Sequence, residues 1–586
     1  MILTKLKEFA EEQMTLPPVN YRKINVSWFI DLATDGSLIG FVPIGGESKS
    51  KKGKEIIAPY IKRAGVKPNP QLLVDNGEYI LGIVRAKSDP ERAIKCHASF
   101  KELMIHCHAE TGEEKLSAVT KFLSTWNLSN QKLIPSGFSP EDNLTFRVSG
   151  EILGDAALSI KSIEKFWEKY TSKSSDEEDS SKKMLCLVTG ELSSVVQRMP
   201  ESIRGLIGGQ PSGTELVSAN KKPFTSYGLE NSLTSPISRD AAEKFAKALN
   251  YLLSDERHRM YIGSTAYVFW TKEKTEFNPI SFFNNPDIED VKNLLASPFS
   301  ASQMYGVESQ EFYALSLTAS MARSVVRDWL ETTIDNVHSN LQQWFGNQKI
   351  VDENGDVGKP LSISEISISL IRTNKKGRKP DYETIKKEMQ PTVPTTLIRH
   401  ALHGSRLADD LLVKLVRRNR AEQDITYPRA VFIKLILISQ GKIAMSEMES
   451  LNLNPQLEGQ EKAAYHCGRL LAELEAVQRS ALGNINASLV DRYYGAASST
   501  PAKAFSPLLR GVQSHLGKLR KNAPGINKLR EEQLEEIMSH FNEGKLPNTL
   551  NVGSQAIFAL GYYHQRAFNR AAMNAAKAAK ALKANS

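Results

Sequence analysis

The sequence predicts an α+β protein: a mixed α/β N-terminal body followed by an all-α helical bundle. Three observations predict it. Short β-type runs bounded by turn residues alternate with helical patterns up to about residue 380. From about Ile385 onward, apolar residues recur at three and four spacing and strand signals fade. Between the two first stretches of mixed character lies KSSDEEDSSKK (Lys173–Lys183), charged, serine-rich and without an apolar residue. It reads as an exposed loop or joint. The expected domains are therefore 1–172 and 184–380, both α/β, and a helical bundle at 381–586.

In chain order, the amphipathic MILTKLKEFAEEQ predicts a helix over Leu3–Gln13. Four β-like runs follow: INVSWFIDLA, SLIGFVPI, LLVDN and EYILGIV. The basic loop SKSKKGK (Ser48–Lys54) lies among them. Helical patterns follow Pro90 and span Leu116–Trp126. MLCLVTG (Met184–Gly190) reads as a buried strand. Glycines at 205, 208, 209, 213 and 228 mark a loop-rich stretch. DAAEKFAKALNYLLSDE predicts a helix and STAYVFW a strand. GVESQEFYALSLTASMARSVVRDWLETT (Gly306–Thr333) begins as a strand and turns helical, and DENGDVG (Asp352–Gly358) is a turn cluster. LIRHALHG, LADDLLVKLVRRNRAE and AVFIKLILISQ read as helices. The alanine-rich tail, with basic residues at 566, 570, 577, 580 and 583, has strong helix propensity.

Composition excludes several classes. With 41% apolar and 24% charged residues, the chain falls among globular proteins. No apolar run approaches the roughly 18 residues of a membrane helix, so no membrane partner is expected. The N-terminus lacks the apolar core of a signal peptide. Four cysteines are too sparse for a disulfide framework, which points to the cytoplasm. The net charge of +9 is unevenly placed. Glu461–Ser586 carries 17 basic against 9 acidic residues, the rest of the chain 58 against 57. Such asymmetry fits either a polyanionic partner or a solubility surface.

Motifs that would carry chemistry are incomplete. CHASFKELMIHCH (Cys96–His108) holds Cys96, His97, His106, Cys107 and His108 but no Cys-x-x-Cys pair; it reads as a buried helix with incidental thiols. GLIGGQPSG (Gly205–Gly213) lacks the Gly-Lys-Ser/Thr ending of a phosphate-binding loop. DENGDVG lacks the glutamate and spacing of a calcium loop. No nucleophile elbow, zinc-protease or dinucleotide fingerprint occurs. The expectation is a binding protein without catalytic residues, metal or cofactor. One binding candidate is APYIKRAGVKPNPQLLVDNGEYILG (Ala58–Gly82). Lys62, Arg63 and Lys67 suit phosphates, and Asn69 and Gln71 suit base edges, on a loop stiffened by prolines. An ordinary solvated turn is the competing reading. DRYYGAASSTP (Asp491–Pro501) likewise reads as a structural corner or as a nucleic-acid contact through Arg492. In the corner reading Tyr493 and Tyr494 pack helix against helix, Gly495 ends the first helix, and Ser/Thr before Pro501 caps the second.

MILTKLKEFAEEQ, KPNPQLLVDNGEYILG, CLVTGE, SGTELVSANKKPFTSYG, ALNYLL, VFW, FYALSLTASMARSVVRDW, ITYPRAVFIKLIL and GNINASLVDRYYGAASSTPAKAFSPLLR stand in this order along nearly the whole chain. Together they resemble the large subunit of the type I-C (Dvulg subtype) CRISPR Cascade complex. The resemblance implies a non-enzymatic subunit of an RNA-guided DNA-binding machine. Its partners would be the other Cascade subunits, the CRISPR guide RNA, double-stranded target DNA with its displaced strand, and a separate helicase-nuclease that cuts. Guide pairing would read the target, while this subunit reads the protospacer-adjacent motif and helps open the duplex.

On that reading, Gln71 or Asn69 contacts a base edge while Lys67, Arg63 and Lys62 hold phosphates. Phe41 is a candidate apolar wedge, with a core position as its alternative. Lys49, Lys51, Lys52 and Lys54 form an electrostatic arm on the DNA backbone. Arg492, Lys503, Arg510, Lys518 and Arg520 are candidates for the displaced strand or a backbone. The basic C-terminal domain resembles the small helical subunit of related complexes, which the resemblance implies can be made separately from an internal start. Met445 and Met448 lie just upstream of the basic stretch, and a product from either has about 140 residues, the size of a small bundle. A non-Met start is an equal alternative. The competing functions are a metal-dependent nucleic-acid-processing enzyme and a scaffold that touches only guide RNA.

Overall fold

The computed structural model describes residues 1–585 apart from 45–52, 64–66, 87, 177–182, 276, 297–309, 373–379, 484–485 and 542–543. The chain forms two compact units, Met1–Arg204 with Pro211–Tyr251, and Gly205–Gln210 with Leu252–Ser586. Sheets dominate the N-terminal half and helices the C-terminal half, as an α+β class requires.

The N-terminal unit opens with the helix Ile2–Gln13, which buries Leu6, Phe9 and Ala10 at helical spacing. Its strands are β1 (Tyr21–Val26), β2 (Trp28–Leu32), β3 (Leu38–Pro43), β4 (Lys54–Pro59), β5 (Val74–Asn76), β6 (Asn143–Val148), β7 (Glu151–Ile152), β8 (Lys183–Leu185) and β9 (Leu192–Ser194). The main sheet runs β3-β2-β6-β5, with β7 folded back on β6. β2 and β6 pair in parallel, in the register Trp28↔Leu144 to Leu32↔Val148. β1 and β4 make a separate antiparallel ribbon. Asp89 accepts a hydrogen bond from Glu91 N and Pro90 stands at the first helical position, which starts the helix Pro90–Thr111. That helix buries Cys96, Phe100, Leu103, Met104 and Cys107 on one face. With Glu114–Thr125 and Lys161–Asp176 it covers an aromatic core in which Phe146 of β6 meets Phe100 and Phe122. Lys161–Asp176 also takes in the first residues of the stretch expected as a loop from Lys173.

Two local expectations fail here. EYILGIV is not a strand: Asn76 accepts from Glu78 N and Tyr79 N, a helical turn runs Gly77–Leu81, and Gly82 closes it at φ +72°. Every residue of the turn is buried, so its apolar run carried no period to separate helix from strand. MLCLVTG is not a buried strand either. Only its first two residues belong to β8, and Leu185 and Leu187 face solvent.

The C-terminal unit holds β10 (Arg259–Ile262), β11 (Thr265–Thr271), β12 (Glu311–Ser320) and β13 (Arg323–Thr333) in one antiparallel meander. The expected strand-to-helix switch within 306–333 comes later than predicted. β12 and β13 form a hairpin turning at Met321, φ +55°, and helix begins only at Ile334. The run SVVRDWLE permits either period, and cross-strand packing, with Tyr313 stacked on Trp329 at 5.7 Å, decides for strand.

Helices Ile334–Gln348, Ile363–Ile368, Tyr382–Glu388, Thr392–His403, Asp409–Glu422 and Tyr427–Ser439 follow. Tyr427–Ser439 is buried on almost every side, from Arg429 to Leu437. Gly459–Leu482, Leu489–Ala497, Pro501–Asn522, Pro524–Ser539 and Val552–Asn585 complete the bundle. One continuous apolar core runs from the sheet to these last helices. Gly459–Leu482 and Val552–Asn585 touch backbone to backbone, because a Cβ on Gly468 would overlap the Phe558 carbonyl oxygen and one on Gly561 the Tyr465 carbonyl oxygen.

The seam is also polar. Arg469, 1% exposed, donates to Gln565 Oε1 (2.9 Å), His466 Nδ1 (3.1 Å) and the Glu536 carboxylate. His564 Nε2 donates to Ser450 O (2.8 Å), so its Nδ1 accepts from Tyr465 Oη (2.7 Å). That tautomer is neutral, and burial pushes the His564 pKa down to about 4.

Candidate nucleic-acid interface

The first candidate set lies between β4 and the Gly77–Leu81 turn. Arg63 leaves β4 and folds back over its own loop. Its guanidinium sits 3.8 Å from the centre of the Tyr79 ring, donates through Nε to Asn69 O (2.8 Å), and pairs with Asp75. Asp75 is buried and also accepts from Gln71 N (2.9 Å) and Asn76 N (2.8 Å). Burial pushes the Asp75 carboxyl above its usual range, opposed by Arg63 and the two amides. Both Asp75 oxygens accept from donors, Arg63 and the two amides, and Arg63 keeps its charge, so the contact is an ion pair with Asp75 as the acceptor-only carboxylate. Tyr79 Oη accepts from Asn69 N (3.2 Å), which fixes the other end of the loop.

Lys62 is held from a different direction. Its Nζ donates to Met199 O (3.0 Å), Ser202 Oγ (2.8 Å) and Glu215 Oε1 (2.9 Å). Lys67 is exposed, Asn69 half-buried, and Gln71 only 8% exposed. Among the described residues the structure ties Arg63 to the Asn69 and Gln71 backbone through its own contacts and those of Asp75 and Tyr79. Lys67 and Asn69 are the polar side chains on the solvent side of the loop. Phe41, on β3, packs edge-on to Trp126 with ring centres 6.0 Å apart. Lys49, Lys51 and Lys52 lie outside the described residues. Lys54 opens β4 and meets Asp155 at 3.5 Å.

The second set lies on the bundle. Pro501–Asn522 buries Pro501, Ala504, Phe505, Leu508, Val512, Leu516 and Leu519 along one stripe. Lys503, Arg510, Lys518, Arg520 and Lys521 stand on exposed positions, and the helix contains no Asp or Glu. Arg520 reaches Glu531 of the next helix at 2.8 Å. Arg492 is exposed on the helix Leu489–Ala497.

DRYYGAASSTP forms a corner between these two helices. Asp491 belongs to a capping box: its carboxylate accepts from Ser488 N (2.7 Å) while Ser488 Oγ accepts from Asp491 N. Tyr494 is buried against Phe558 and Tyr562, whereas Tyr493 is partly exposed. Two details differ from expectation. Gly495 lies inside the helix, which continues to Ala497, and Thr500 makes no side-chain cap. The Ser499 and Thr500 hydroxyls instead donate back to Gly495 O and Ala496 O.

Among the described residues no group of three or more His, Cys, Asp or Glu is placed to hold a metal ion. No helix is long and apolar enough to cross a membrane. Sequence reasoning missed Asp75, Tyr79, Ser202 and Glu215, the groups that hold Arg63 and Lys62. Asp75 was within reach as the acid nearest Arg63 in the loop; Glu215, 153 residues beyond Lys62, left no signal in one sequence.

The family described as CRISPR-associated protein (Cas_Csd1) matches residues 3–569, nearly the full chain and both units. The chain belongs to this CRISPR-associated family. A search of curated proteins gives no match. Both candidate surfaces of this Cas_Csd1 protein lie inside the matched span, as does the buried seam of the bundle; most of the basic tail beyond Asn569 lies outside it.

Proposed function

We propose that this Cas_Csd1 protein is the large subunit of a type I-C RNA-guided surveillance complex, working with other Cas proteins as a non-catalytic DNA reader. Its N-terminal unit reads the protospacer-adjacent motif through the braced loop Lys62–Asn76. Its bundle holds the displaced strand, and the opened target passes to a separate helicase-nuclease. The observation that carries the reading is the Pro501–Asn522 helix. Its cations stand on exposed positions of a carboxylate-free helix, an arrangement suited to a polyanion and of no use to the core beneath it.

The loop supports the reading in another way. The buried Arg63–Asp75 pair and Tyr79 hold the backbone of Asn69 and Gln71, so Asn69 is offered to a duplex without a large ordering cost. Asn69 presents an amide suited to a base edge and Lys67 an ammonium suited to a phosphate. Gln71, 8% exposed and bound through its N–H to the Asp75 carboxylate, lies beneath them and helps to set the loop.

The test is duplex binding by the guide-loaded complex, with and without this protein, at fixed salt. Targets match the guide and differ only in the flanking base pairs. The expected result is flank-dependent binding that requires this protein and that Asn69→Ala relaxes, by roughly 1–3 kcal/mol for a lost bidentate base contact. Binding that ignores the flank removes motif reading and returns the scaffold and enzyme alternatives.

A further inference from the structure

The N-terminal unit carries a projection that neither candidate surface includes. Nine consecutive residues, Asn220–Gly228, are exposed. The projection is nonetheless ordered. Its base is anchored by buried Ala219 and Leu233 and by Ser232 N donating to Gln197 O (2.9 Å). Lys222–Phe224 forms a single 3-10 turn, in which Phe224 N donates to Lys221 O (2.8 Å) and Thr225 Oγ1 to Lys222 O (2.7 Å). Ser226 and Leu229 then exchange both backbone hydrogen bonds around Tyr227 and Gly228.

The two central residues of this tight turn have φ +52° and +69°. Positive φ at both is the type I′ pattern, which favours Asn-Gly and penalises a bulky first residue. Tyr227 occupies that first position with its side chain 99% exposed. The backbone therefore bears an unfavourable conformation to present a ring that touches almost nothing in its own chain. Phe224 is 46% exposed close by in sequence, and Lys221 and Lys222 are exposed beside it. No carboxylate occurs between Glu215 and Glu230.

We infer that the Lys221–Gly228 projection is a stacking site for unpaired nucleotides, in which Tyr227 and Phe224 take the faces of bases and Lys221 and Lys222 the phosphates. The inference rests on the nucleic-acid reading above and adds a third surface to it. Aromatic rings interleaved with cations are the pattern of sequence-tolerant single-strand binding, because every base offers a flat face and every linkage a charge. A loop shaped only for solubility has no use for a phenol ring at a strained position. The absence of carboxylates gives the charge complementarity a polyanion needs.

The experiment measures binding of the full-length protein to a fluorescent oligothymidylate across a salt series. Tyr227→Asn suits the turn better than tyrosine and keeps the fold. It is expected to weaken single-strand binding roughly tenfold, while Tyr227→Phe keeps the affinity. Lys221→Gln with Lys222→Gln is expected to lower the log–log salt slope by about 0.7 per lost contact. Oligonucleotides carrying 5-iodouracil are expected to cross-link to Phe224 or Tyr227. Absence of single-strand binding by the unaltered protein overturns the inference, as does equal affinity of Tyr227→Asn. Loss of a Cas protein partner by Tyr227→Asn with single-strand affinity unchanged also overturns it, and makes the projection a protein interface. Flank-dependent duplex binding by the unaltered complex, run alongside, separates this failure from failure of the motif-reading proposal.

Discussion

The loop Lys62–Asn76 and the helix Pro501–Asn522 are both rich in cations, and they use them in opposite ways. In the loop, Arg63 and Lys62 are bound to Asp75, Tyr79, Ser202 and Glu215 of the same unit, so their charge is answered internally. On the helix, Lys503, Arg510, Lys518 and Lys521 stand in solvent over an apolar stripe. Charge counted along a sequence is therefore not charge available to a ligand. The loop's cations buy rigidity for neighbouring amides, whereas the helix's cations remain open to counterions and to polyanions.

The comparison breaks most visibly at Arg63. Arg63→Ala leaves the buried Asp75 without its ion partner, and the expected loss is about 3–5 kcal/mol of stability in the N-terminal unit, read by chemical denaturation. A loss under about 0.5 kcal/mol, the size of an ordinary surface substitution, would mean that the loop is no more enclosed than the helix.

Acid sharpens the contrast within the bundle. Burial holds His564 neutral with a pKa of about 4, below its value of 6.5 in the unfolded chain. Between these values the unfolded chain binds the additional proton. Stability from this site is therefore complete above about pH 6.5 and is lost as pH falls towards 4, on the order of 3 kcal/mol in all. Urea denaturation at several pH values should show this slope, and His564→Gln should reduce it, leaving the share of His466, which burial holds neutral in the same seam.

Lys62→Met should cost less, about 1 kcal/mol, because the Lys62–Glu215 pair is partly open to water. The smallest stability effect belongs to the combined Lys503→Gln, Arg510→Gln and Lys518→Gln variant, within about 0.5 kcal/mol of the parent. Its signature is electrostatic: the salt slope of single-strand binding should fall by about 0.7 for each cation that touched a phosphate. A large melting shift in this variant would show that the helix face is structural after all.

Much of the fold was legible because helix periodicity survives in a single sequence. Pro90, Thr125, Asp409 and Ser439 fall at or near ends that the pattern marked. What stayed hidden was buried on all sides or paired at long range. The turn at Gly77–Leu81 has no exposed face to set a period, its Glu78 being buried with the rest, and the hairpin at 311–333 depends on partners across the sheet. The candidate site divides in the same manner. Lys67, Asn69 and the cations of Pro501–Asn522 could be named from residue type alone. The roles of Asp75 and Glu215 follow only from folding, which brings them to Arg63 and Lys62.

The bundle's inward contacts bear on how many polypeptides one gene supplies. Tyr563 Oη donates to Val351 O (3.0 Å), Arg566 meets Asp424 at 3.3 Å, and Arg570 meets Glu353 at 2.7 Å. Each of these partners precedes both Met445 and Met448, as do the helices Asp409–Glu422 and Tyr427–Ser439, which pack against Val552–Asn585. A product translated from either methionine would emerge with the flank of Val552–Asn585 uncovered, and with Arg566 and Arg570 parted from Asp424 and Glu353. Such a fragment would favour docking on a neighbour that covers that flank.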